Sequence, residues 1–188
     1  MNFLSILLVV AVILIVAVVI LFNQLVNLRQ MVRNGWSDID VQLKRRTDLI
    51  PQLVKTVKGY AKHEKQLFSD ITKKRSQSID AGNDIKARQA AEGALARPIS
   101  RLLAVAEDYP ELKANQNFLD LQNELSETED KIEMARRFFN GATRELNTKV
   151  ESFPANLVAG AFNFHTVDYF ELEGSDGALP DIAFGDNA

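Results

Sequence analysis

Residues 118–153 read FLDLQNELSETEDKIEMARRFFNGATRELNTKVESF. Phe118, Leu125, Ile132, Phe139, Leu146 and Phe153 recur every seven residues, and Leu121, Thr128, Ala135 and Ala142 fill the slots between them. On a helix of about 3.6 residues per turn, that repeat gives a continuous apolar seam. Large and small side chains alternate along it, which suits close antiparallel packing. The pattern predicts one long helix, about 110–153, that needs helical partners.

The partners precede it. Between residues 23 and about 79 the apolar positions are Trp36, Ile39, Leu43, Ile50, Leu53, Val57, Tyr60, Leu67 and Ile71, at steps of three, four or seven. Val54, Ala61 and Phe68 widen the stripe. The spacing predicts a second long amphipathic helix. Pro51 is expected to kink it, since an interior proline costs ~3 kcal/mol unless the bend is accommodated. Gly59 weakens the same region. The stretch DAGND, residues 80–84, is the first turn: Gly82 and Asn83 tolerate left-handed backbone and Asp84 suits a helix cap. A further helix is expected over 85–107, with Ile85, Leu95, Ile99, Leu102 and Ala106 on one face and a kink at Pro98. Pro110 ends it, because the residue before a proline avoids helical dihedrals. After a sharp turn at Pro154, SFPANLVAGAFNF suits one short helix. Short turns force consecutive helices to be antiparallel. The expected fold is all-α: an elongated antiparallel bundle of three long helices plus a short C-terminal helix.

Residues 3–22, FLSILLVVAVILIVAVVILF, contain no charge and one serine. At ~1.5 Å per residue they span ~30 Å, the hydrocarbon thickness of a bilayer. No basic residue precedes them and no small-x-small site follows, so an uncleaved transmembrane anchor is expected rather than a signal peptide. Arg29 and Arg33 follow the span, which by the positive-inside rule puts the bundle in the cytoplasm. They are also the better candidates for headgroup contact.

The chain of 188 residues suits one domain. Its net charge of −3 and absence of cysteine argue against a nucleic-acid binder and exclude disulfides, thiolate catalysis and a lipoprotein anchor. Two histidines, His63 and His165, lack the spacing of a zincin or a di-iron bundle. No Gly-x-Ser-x-Gly occurs. No catalytic, cofactor-binding or metal-ligating residue is therefore assigned, and no cofactor is expected. Carboxylates such as Glu124, Glu127, Glu129 and Asp130 fit a solvated helix face.

The basic run Lys44-Arg45-Arg46 carries no aromatic platform for nucleic acid. It lies ~30 Å beyond the span along a straight helix, too far for lipid headgroups. With Leu43 and Ile50 at one heptad position, Arg46 faces the partner helix and needs a carboxylate. Glu124, Glu127, Glu129 and Glu133 are candidates from the later helix, whose own Arg136 and Arg137 suit Asp38, Asp40 or Asp48. These residues, with Arg45, are read as a structural ion-pair network that fixes register. Trp36, Phe118, Phe139, Phe153, Phe162, Phe164 and Phe170 are read as packing or interface residues. The run Phe153, Phe162, Phe164, Tyr169, Phe170 is expected to fold back on one end of the bundle, with an inter-subunit contact as the rival reading.

Four stretches, NQLVNLR (23–29), WSDIDVQLKRRTDLIPQLVKTVKGYAKHE (36–64), YPELKANQNFLDLQNELSETEDKIEMARRFFN (109–140) and FPANLVAGAFNF (153–164), resemble the LemA family. The resemblance covers roughly residues 23–171 together with the anchor. It implies a membrane-anchored antiparallel helical domain and no known enzymatic activity or ligand. The expected organisation is an anchor over 1–24, a LemA-like bundle over 25–172 and a mobile tail over 173–188. The expected role is a non-enzymatic scaffold of the bacterial inner membrane. Its partners would be itself, as a homo-oligomer, and the bilayer, with no nucleic acid. The other function class is an adaptor or regulator of a membrane protease or an envelope transport system.

Overall fold

The computed structural model describes residues 2–171, so the tail expected over 173–188 lies outside the described residues. Every regular element described is a helix: α1 Phe3–Tyr60, α2 Lys65–Asp80, α3 Ile85–Glu107, α4 Pro110–Lys113, α5 Gln116–Glu151 and α6 Ala155–Ala161. The all-α class holds. The three expected long helices become five, four of them long, because two of the predicted helices divide.

The first division is at residues 61–64, between α1 and α2. Here the apolar stripe lapses: Lys62, His63, Glu64 and Lys65 offer nothing to bury, and Gly59 has already weakened the last turn. The second is at residues 114–115. Asn115 Oδ1 accepts a hydrogen bond from the Phe118 N–H at 3.1 Å, so its side chain starts α5 afresh rather than continuing α4. Asp84 does the same for α3, accepting from the Ala87 N–H at 2.8 Å. Gly82, at φ +57°, supplies the left-handed residue of that turn. Pro51 and Pro98 both lie inside helices that run through them.

α1 carries the charge-free residues 3–22 and continues unbroken into the charged stretch that follows. It is the one helix among the described residues that is long and apolar enough to cross a membrane. Its most apolar window has mean hydropathy 3.6, and none of that window is buried.

The chain forms two compact units. One comprises Met1–Leu49 and Gln122–Phe170, the other is built on Ile50–Leu121. In the first, Leu25, Val32, Ile39 and Leu43 of α1 are buried, as are Leu125, Ile132, Phe139 and Leu146 of α5. Arg46 lies against Glu129 and Trp36 against Phe139, so the helices run in opposite senses. At Gly35 they come very close: a Cβ there would lie 3.0 Å from the Phe139 Cα. In the second unit α3 packs against α2 and α4, burying Leu67, Ile71, Leu95, Ile99, Leu102 and Leu112.

Candidate interaction site

Glycine at position 35 and the heptad seam of α5 bring the α1 and α5 backbones together, and the flanking charges meet along their edges. Arg45 donates to Glu124 at 2.8 Å, with both side chains nearly half exposed. Arg46 is different. Its side chain is 3% exposed and its Nη1 donates to both oxygens of Glu129, at 2.9 and 3.1 Å. A cation buried to that degree requires a carboxylate partner, and Glu129, at 44% exposed, brings the charge within reach of solvent. Glu127 pairs with Lys131 of its own helix at 3.7 Å. Arg137 pairs with Glu133, also on α5, rather than with an aspartate of α1. Asp40, Asp48 and Arg136 are engaged as well, and Asp38 lines an open groove between α1 and α5.

The aromatic residues divide. Phe118, Phe139, Phe164 and Phe170 are buried. Trp36 packs on Phe139 and Phe170, with ring centroids 5.7 and 5.5 Å apart. Phe164 sits 5.7 Å from the Phe22 ring and under the Arg29 guanidinium at 4.7 Å. Phe153 lies outside the packed core. Its side chain is 79% exposed, because Pro154 turns the chain one residue later and the seam ends at Leu146. Phe162 is 51% exposed, although its ring meets Phe22 edge-on at 4.9 Å.

Sequence reasoning expects a fold-back after α6 but not how it is held. Residues 162–170 carry no regular structure, yet two asparagines of α5 hold them. Asn147 accepts from the Val167 N–H at 2.8 Å and donates to the Val167 carbonyl at 2.9 Å. Asn140 does the same with Phe170, at 2.9 and 3.0 Å. A side-chain amide thus replaces a missing strand neighbour at each place. The signal in the sequence is two asparagines seven residues apart, each beside a buried seam residue. On α1 the strap meets Phe22, Arg29 and Trp36, again seven apart.

The second unit holds a buried polar cluster. Glu92, fully buried, accepts from Ser78 Oγ at 2.6 Å and lies 3.0 Å from Arg88 Nε. Arg88 and Glu92 occupy the stripe positions that Ile85 and Leu95 flank, so the gap in the apolar pattern of α3 is its signal. Among the described residues, no three His, Asp or Glu side chains gather as metal ligands would.

A seam, ion pairs and a strap on a helix that could cross a membrane define, among the described residues, an all-helical protein with one candidate membrane span. The LemA family model matches residues 35–184, and the chain belongs to the LemA family. The magnetosome protein MamQ 2 of Paramagnetospirillum magneticum is 26% identical over 175 aligned residues, covering 80% of this chain and 64% of the relative. MamQ of Magnetospirillum gryphiswaldense is 25% identical over 174, with 79% and 64% covered. Protein LemA of Metamycoplasma hominis is 27% identical over 149, with 79% and 68% covered. The match therefore spans less than two thirds of the magnetosome relatives. None of these names is an enzyme's.

Proposed function

We propose that this chain is a non-enzymatic scaffold, anchored in the bacterial inner membrane by residues 3–22, that self-assembles through its helical bundle into a homo-oligomer. The observation that carries the reading is a wholly unburied apolar helix that continues without a break into a paired, ion-bridged one. Met31, Val41, Met134 and Phe138 remain exposed on α1 and α5. Three of them line the open groove, with Asp38 and Lys131 also in its lining. A neighbouring copy could set its own charges against Asp38 and Lys131 and cover the apolar side chains between them. The ion pairs of Arg45 and Arg46 fix the register that presents this face. Arg29 and Arg33 favour a bundle on the cytoplasmic side. Relatives named as magnetosome proteins are consistent with a membrane-associated role for this chain.

The test is the mass of the full-length protein extracted in mild detergent at native expression level. One large homo-oligomer is expected, and Phe138→Glu should reduce its mass. A monomer at every concentration refutes self-assembly. A monomer holding a second polypeptide in fixed ratio puts the adaptor reading in its place.

A further inference from the structure

Ser152 to Val167 contains no Asp, Glu, Lys or Arg, which is unusual for a segment at the surface of a chain that is 25% charged. Its apolar side chains are not all used inside. Phe153 is 79%, Leu157 64% and Phe162 51% exposed, while Ala155, Val158 and Ala159 form the buried side of α6. Three large hydrophobic groups in one short uncharged segment need a cover.

Their position says which cover. Arg46 opposite Glu129 and Trp36 opposite Phe139 show α1 and α5 advancing ten residues each between the two contacts. Fourteen more residues along each chain, the last two just past the end of α5, bring Phe22 about level with Phe153. The ring contact of Phe162 with Phe22, at 4.9 Å, places the far end of α6 at the same level. Phe22 is the last residue of the apolar run, and the polar pair Asn23-Gln24 follows it. If that stretch spans the hydrocarbon, Phe22 marks its edge, and the next ~5–8 Å is the headgroup interface. Amphipathic surfaces with Phe and Leu on one side settle at that depth.

We propose that the α5–α6 corner, through Phe153, Leu157 and Phe162, is a second membrane contact. It dips into the interfacial layer beside the anchor, with lipid as its occupant. The inference rests on the anchor reading of residues 3–22, and its test separates the two.

The chain has no cysteine, so one introduced residue carries the only thiol-linked fluorophore. Full-length Ile13→Cys, Leu157→Cys, Phe162→Cys and Arg137→Cys are each labelled and reconstituted in phosphatidylcholine vesicles containing some phosphatidylglycerol. Nitroxide lipids carry the quencher either near the headgroup or near the chain end. The labels at 157 and 162 are expected to lose at least half their emission to the shallow quencher, and less to the deep one. The label at 13 should respond mainly to the deep quencher, and the label at 137 to neither. Labels at 157 and 162 that behave like 137, while 13 is quenched, overturn the second contact and leave the anchor standing. An unquenched label at 13 removes both. Labels at 157 and 162 that are shielded from water yet untouched by either quencher, and only at high protein density, put another copy there and also overturn the proposal.

Discussion

The glycines offer a test of sign. In a helix interior, replacing glycine by alanine gains ~0.5–1 kcal/mol where the new methyl meets nothing, since glycine loses more backbone freedom on folding. Gly141 of α5 and Gly93 of α3 are such sites, where an added Cβ would have no neighbour within 4 Å. Gly35 is the opposite case. Its Cβ would meet the Phe139 Cα at 3.0 Å, Phe138 Cδ1 at 3.1 Å and the Phe139 Cβ at 3.2 Å. The Phe138 ring can swing aside, but the Cα belongs to the partner backbone, so α1 and α5 must separate. Overpacking of this kind costs ~1–3 kcal/mol. The helix-propensity gain is common to Gly35→Ala and Gly141→Ala and cancels when the two are compared. Gly35→Ala should therefore fall below Gly141→Ala by ~1–3 kcal/mol. In a chain of this size that is roughly 2–12 °C in Tm. Thermal unfolding followed by far-ultraviolet circular dichroism in mild detergent reads the difference. Gly141→Ala is expected to melt above wild type, and Gly35→Leu to fall well below Gly35→Ala. If Gly35→Ala melts as high as Gly141→Ala, the close approach of α1 and α5 does not exist, and the register derived from it goes too.

Glu129→Leu leaves the buried Arg46 without that carboxylate and should cost ~1.5–3 kcal/mol, the range for hydrogen bonds to charged groups. Arg46→Leu should cost less and keep its helical content but alter register or assembly; a variant that assembles as wild type in native mass measurements would sink the register role. Asn147→Ala removes two hydrogen bonds to the strap, worth ~1 kcal/mol each, and should accelerate hydrogen exchange at Val167 while α5 amides are unchanged. Equal protection of Val167 in both proteins would show that the asparagine does not hold the strap. Glu92→Gln strips the charge beside the buried Arg88 and should destabilise by roughly 3 kcal/mol; chemical denaturation that shows no loss would mean the cluster is not closed.

Local chemistry explains what is legible in the sequence. Helix α3 is readable at both ends, because Asp84 caps one and Pro110 stops the chain beyond the other. The breaks at 61–64 and 114–115 escape for different reasons. The first is a lapse in apolar content too short to interrupt a seven-residue step. The second depends on which backbone N–H the Asn115 side chain finds. Phe153 falls outside the packing because a heptad can be extended on paper past Glu151, where α5 itself ends. Asn140 and Asn147 escape because polar residues beside a seam resemble solvent-facing ones. Only a chain returning along α5 gives them backbone groups to satisfy. Gly35 reads as one isolated glycine in a long helix, whereas its use is the approach of Phe139, which no single-helix pattern contains.

If residues 3–22 are the anchor proposed above, the strap also bears on how that anchor positions what it carries. A span that is apolar on every side gives lipid no preferred face, so the bilayer alone leaves rotation about the helix axis unfixed. In α1 the span is covalently continuous with the paired region, and each residue advances the helix by about 100°. Any fixed contact on α1 therefore sets the azimuth of the whole segment. Phe22, Arg29 and Trp36 provide such contacts: seven-residue steps keep them close to one face, and Phe162, Phe164 and Phe170 meet them in order. Asn140 and Asn147 tie the same strap to α5. The face that α1 and α5 offer to a neighbour is thus coupled to the rotation of the span. If the chain assembles as proposed, this coupling matters more than the strength of any one bond, because a face turned away from its neighbour cannot assemble.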